Sequence, residues 1–198
     1  MAGSYGSDPV LDYKIAYNIK DLYKPKVPEN PSKTNDVYSF IFNNEDYSLT
    51  KYLIQLAKLE NMFSAPQFNS TFFLCPDHLL EKCISISTLK NMDLLTARNL
   101  ILYNTLNGLI TTDALKSSMD LKLITRIPHE VYTVMYLTQL EGKTILNNRI
   151  VIEKEFKACN GIIHITSEIC IPDTINVVMC NKDAGCNDEG NYKIVNYR

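Results

Sequence analysis

Ile145 to Pro172 reads ILNNRIVIEKEFKACNGIIHITSEICIP, three short β-rich runs separated by two turn signals. Asn147-Asn148 lies between Thr144-Ile145-Leu146 and Arg149-Ile150-Val151-Ile152. Asparagine tolerates the positive φ angles of a tight hairpin turn, so this pair predicts one. Asn160-Gly161 is the stronger signal, between the run ending at Phe156 and Ile162-Ile163-His164-Ile165-Thr166, and it predicts a second antiparallel hairpin. Period-two alternation puts Ile163 and Ile165 on one face of the last strand and Ile162, His164 and Thr166 on the other. Large side chains on both faces predict a sheet covered on both sides, with His164 hydrogen-bonded inside it.

Asn160-Gly161-Ile162-Ile163-His164-Ile165, followed by Ile169-Cys170-Ile171-Pro172, resembles the carboxy-terminal signature of the fasciclin domain, an adhesion module. That pattern runs Asn-Gly-apolar-Ile-His-apolar and closes at apolar-apolar-Pro. Asn148-Arg149-Ile150-Val151 is similar to the family's upstream hairpin, with Arg149 where Gly is usual. The helix predicted over Asp93 to Tyr103, with Leu94, Ala97 and Ile101 on one apolar stripe joined by Leu95 and Leu102, matches a Leu-rich helix that ends in Tyr-His in the family. Here Tyr103 is followed by Asn104. Thr111 to Leu115 resembles the next short helix, introduced by a Thr cap. Thr71-Phe72-Phe73-Leu74-Cys75-Pro76-Asp77 resembles the amino-terminal signature, and Ser48 to Ala57 would be the opening amphipathic helix. The resemblance implies an α+β fold, a fasciclin-like β-wedge of two short, mostly antiparallel sheets with several α-helices packed on it. It also implies a non-enzymatic adhesion or interaction module with a protein or glycan surface ligand, placed outside the cell or exposed on its surface.

The organisation expected is an extended Tyr- and Pro-containing arm over residues 1–46, the domain over 47–175, and a Cys-containing tail over 176–198. A chain of 198 residues suits one domain with extensions, and 45% apolar residues suffice for a core. The net charge of −2 gives no electrostatic reason to expect nucleic acid. The Lys20 to Lys26 cluster is interrupted by Asp21 and reads as a solvated linker. No run reaches the ~18–20 apolar residues of a membrane span, and residues 1–30 lack a signal-peptide core. Self-association through the tails is the alternative reading, a structural or assembly protein such as a viral particle component.

Chemistry is thinly represented. Of the six cysteines, Cys180 and Cys186 form the local candidate disulfide, across a Gly-containing loop. At least two of Cys75, Cys83, Cys159 and Cys170 read as small buried hydrophobes. No CxxC or HxxxH spacing points to zinc, and no Gly-rich loop to a nucleotide, so no cofactor is expected. Asp77-His78, even with Asp113 or Ser85, lacks a nucleophile turn. Asp77 reads instead as the cap of a helix over His78 to Cys83. Asn69-Ser70-Thr71 is an N-glycosylation sequon. The resemblance supplies the interaction candidates. Glu155-Phe156 falls on the turn where fasciclin domains can carry an Asp-apolar pair implicated in integrin recognition, and Tyr103-Asn104 stands at the family's Tyr-His. Asn160, Gly161, His164 and Pro172 read as fold determinants.

Overall fold

A computed structural model describes residues 36–118, 121–127 and 134–172, and the backbone alone at 179–180 and 192–193. The Cys180–Cys186 pair, the Tyr-bearing arm up to residue 35 and the basic cluster lie outside the fully described residues. Helices come first along the chain: α1 Val37–Phe42, a 3-10 turn at Glu45–Tyr47, α2 Ser48–Leu56 and α3 Glu60–Ser64. Strand β1, Ser70–Leu74, leads to α4 Asp77–Cys83, α5 Ile86–Lys90, α6 Leu94–Tyr103, β2 Thr105–Asn107 and α7 Thr112–Lys116. Five strands then follow: β3 Leu121–Ile124, β4 Val134–Leu140, β5 Lys143–Leu146, β6 Ile150–Lys157 and β7 Gly161–Thr166.

These seven strands form one sheet in the order β2-β1-β7-β6-β5-β4-β3. The expected division into two short sheets is therefore corrected. β6 belongs to both halves: Ile150 and Val151 pair with β5, while Ile152 to Lys157 pair with β7 across a register shift at Ile152/Lys154. The extra residue lets the strand bend and continue the ladder. The two ends of the sheet meet again. Leu106 bridges Thr125, and the Arg126 amide donates to the carbonyls of Leu102 and Thr105 at 3.2 and 2.8 Å. The result is a nearly closed barrel, antiparallel except for β1 beside β7. A separate two-residue ladder joins β8, Met179–Cys180, to β9, Tyr192–Lys193.

Sequence accounts for the helices that wall this sheet. Thr50, Leu53, Ile54 and Ala57 are buried, the i, i+3, i+4, i+7 stripe of an amphipathic helix. α2 ends where Lys58 turns left-handed at φ 55° and the Leu59 amide closes on the Ile54 carbonyl at 3.0 Å. Its amino end is capped from a distance, because both Asp77 carboxylate oxygens accept from the Leu49 amide at 3.1 Å. Asp77 is thus a cap, as expected, but of α2 and not of its own helix, whose N-cap position is held by Pro76. Asp93 accepts from Thr96 at the start of α6, and Thr111 from Ala114 at the start of α7. The stripe expected on α6 is buried at Ala97, Ile101 and Leu102, with Leu100 and Tyr103 beside them, but Leu94 and Leu95 in its first turn are exposed. The core runs continuously from Val37 on α1 to Cys170. Val37 and Ile41, which the boundary expected at residue 47 leaves in the arm, belong to this core.

Candidate functional site

Asn160 ties three elements together. Its Oδ1 accepts from the Val37 amide at 2.9 Å, and its Nδ2 donates to the carbonyls of Phe63 and Ala65 at 2.8 and 2.9 Å. One side chain therefore serves the amino end of α1 and the carboxyl end of α3, both of which need partners. The hairpin expected at Asn160-Gly161 is present, with Lys157 opposite Ile162. Its glycine is required for a different reason from the one the turn signal suggests. Gly161 is absent from the positive-φ residues, but a Cβ there would stand 2.7 Å from Val37 Cγ2 and 2.8 Å from the Ser70 carbonyl oxygen. Close approach of α1 and β1, not backbone twist, excludes a side chain. At the upstream hairpin the positive-φ reading holds, with Asn147 at 49° and Asn148 at 64°.

His164 is fully buried among six buried residues of β7. Its Nε2 lies 2.8 Å from the Ile110 carbonyl; a carbonyl only accepts, so Nε2 carries the proton. The ring stacks on Phe73 with centroids 5.7 Å apart, and Nδ1 is buried without a protein partner. Burial holds the imidazole below the usual histidine range, against smaller opposing effects of the Ile110 hydrogen bond and the Glu155 charge. Pro172 is buried beyond the strand.

Tyr103 and Asn104, expected at an interaction surface, lie inside the domain. The Asn104 side chain clamps Cys170 from both ends: Nδ2 donates to its carbonyl at 2.7 Å and Oδ1 accepts from its amide at 3.1 Å, with a further bond to the Leu100 carbonyl. The Tyr103 hydroxyl donates to the Val134 carbonyl and accepts from Asn147 Nδ2. Glu155 stands opposite His164 across the ladder. Its carboxylate accepts from the Thr112 amide at the start of α7 and pairs with Lys157 at 3.6 Å, and its side chain is only 18% exposed. Phe156 packs on Phe40 with centroids 4.9 Å apart, and the Lys154 ammonium lies 4.5 Å from its ring.

The remaining candidates are scattered through the fold. Asn69 is exposed at the head of β1 with φ 38°, while the Thr71 hydroxyl of its sequon is engaged with Gly108 and Ile110. Cys75, Cys83 and Cys170 are buried thiols and Cys159 is exposed. Burial pushes the Cys170 thiol up to about 12 and raises Cys75 further, so neither is a thiolate at neutral pH. Ser85 caps α5 through the Thr88 amide, while His78 and Asp113 are exposed. Among the described residues no group of three or more His, Cys, Asp or Glu side chains could hold a metal ion. Nor is any described helix long and apolar enough to cross a membrane.

No protein-family model matches the sequence, and no curated protein matches it. Among solved structures, a FAS1 domain pair from the insect cell adhesion molecule Fasciclin I matches 69% of this chain with a TM-score of 0.58 and 15% identity. The fold is fasciclin-like. The chain spans about half of that domain pair, 51% of its length. In this fasciclin-like domain the signature residues Asn160, Gly161 and His164 are each consumed by the interior. Sequence reasoning missed the clamp at Asn104 and the cap at Glu155, because both partners are distant in the chain and no local pattern marks them. Arg126 was missed as well, being a single basic residue between Thr125 and Ile127.

Proposed function

We propose that this domain is a non-enzymatic adhesion or interaction module that recognises a protein at a cell surface or in the matrix outside it. The observation that carries the reading is the fasciclin-like fold, shared with a domain pair of a cell adhesion molecule. The strand end at Glu155-Phe156 is the contact we assign, in an altered form. Glu155 is engaged at the Thr112 amide, so it is not the ligand that would cap a receptor's metal ion. What a partner meets there is the exposed edge of the half-buried Phe156 ring beside Lys154, while Lys157 pairs with Glu155 on the other face of the strand. An apolar ring with an ammonium group over it suits an acidic protein surface, with Lys154 steering the encounter and the ring supplying burial.

The test is equilibrium binding of the full chain to a panel of cell-surface and matrix proteins, beside F156A and K154E. The reading expects saturable binding to at least one protein, weakened about tenfold by either variant while the unfolding midpoint of K154E stays within the small range of surface substitutions. Unchanged binding in both variants would remove the strand end from the proposal, and no binding across the panel would remove the module reading itself.

A further inference from the structure

Arg126 follows β3 at the seam where the barrel nearly closes. Its Nη1 donates to Ser70 Oγ at 2.8 Å, and the guanidinium carbon lies 5.6 Å from the centroid of the Phe68 ring. Ser70 in turn gives its own hydroxyl proton to the Phe68 carbonyl at 2.6 Å, so the serine is a fixed acceptor that holds one corner of the fork. Ser70 opposes Asn107 on β2 and Gly161 on β7, which places the group at one end of the sheet, beneath the loop that carries Phe68 and the exposed Asn69. No described carboxylate pairs with Arg126, and its Nε and Nη2 protons have no acceptor among the described residues.

Arg126 is half-buried, and its Nε and Nη2 reach solvent with no described carboxylate beside them. Burial alone lowers its proton affinity, and the fixed contacts hold the planar group in one orientation. A guanidinium anchored through Nη1 still presents its Nε/Nη2 edge, the side that receives an oxyanion through two parallel hydrogen bonds.

We propose that Arg126, oriented by Ser70 and Phe68 at the barrel seam, is a receiving site for one external oxyanion, a carboxylate, sulfate or phosphate group. The inference does not depend on the module reading.

The direct probe is the arginine Nε–Hε signal of the isotope-labelled full chain, titrated with inorganic phosphate, sulfate or acetate at constant ionic strength set by chloride. A saturable shift of the Arg126 signal is expected, larger than that of Arg98, whose Nη1 donates to the Ala57 carbonyl. A response to acetate alone assigns a carboxylate ligand, and a response to phosphate or sulfate a tetrahedral one. In R126K, which keeps the charge but loses the fork, the dissociation constant followed by backbone amide shifts at Ser70 is expected to rise about tenfold. R126Q should abolish the response. The inference is overturned if Arg126 shifts no more than Arg98 with all three anions, or if R126K binds them as wild type does. Should R126Q not fold, R126K and the wild-type titration decide alone.

Discussion

At Gly161 the geometry leaves no room for one more carbon. G161A would drive a Cβ against Val37 and the Ser70 carbonyl, and overpacking of this kind costs about 1–3 kcal/mol. Urea denaturation should show that loss as a lower midpoint with little change in slope. Asn104 makes the complementary case, because N104A would leave the amide and carbonyl of buried Cys170 unpaired. Unsatisfied buried groups cost about 1–3 kcal/mol each, so N104A should destabilise at least as much as G161A. Near-native stability in N104A would show that the clamp contributes nothing. His164 sets the pH response. Its folded-state affinity for a proton is depressed by burial, whereas the unfolded chain takes that proton near pH ~6.5. The unfolded state therefore binds more protons below that value, and stability, complete above it, falls as pH drops through about 6.5 toward the depressed folded value. Asp77 works in the opposite direction at lower pH, since burial outweighs its two hydrogen bonds and raises its affinity. Thermal melts between pH 7.5 and 5 should fall for the wild type and flatten in H164Q. Equal slopes in the two proteins would contradict the assignment.

Among the elements, the hairpins and capped helices were legible because their determinants are local. Asn147 and Asn148 carry the positive φ angles that their residue type foretold, and Thr111 caps α7 as read. α6 was legible as a helix and in its buried residues Ala97, Ile101 and Leu102, but not in its first turn, where Leu94 and Leu95 satisfy the apolar period while standing exposed. Periodicity names a stripe, whereas packing decides how far along the helix that stripe is covered. The caps at Leu49 and Thr112 were hidden for the same reason as the clamp on Cys170, since their acceptors arrive from other elements. The Glu155 cap yields its own prediction. E155Q retains an oxygen for the Thr112 amide but removes the charge that favours a helix amino end, at a cost of about 0.5–1 kcal/mol, whereas E155A should cost more. Equal midpoints for wild type, E155Q and E155A in denaturant would show that α7 needs no cap from the sheet.

For the molecule as a whole, the fold family was readable from one stretch, Asn160 to Pro172, and the closure of the sheet was not. Closure depends on Leu106 meeting Thr125 and on the bend in β6, contacts between short segments that no periodic pattern announces. The same distinction holds for function. The signature residues mark the fold because they are buried by it, and for that reason a partner does not reach them. On the proposed reading, recognition belongs to side chains outside the signature, Phe156 with Lys154 over its ring, and it requires the folded sheet to display them together. The most direct test of this account is binding of the full chain to its best responding surface protein, measured across the urea unfolding transition. The account predicts saturable binding that falls in step with the folded fraction. Binding that persists in the unfolded chain, or that is absent from the folded one, would contradict it.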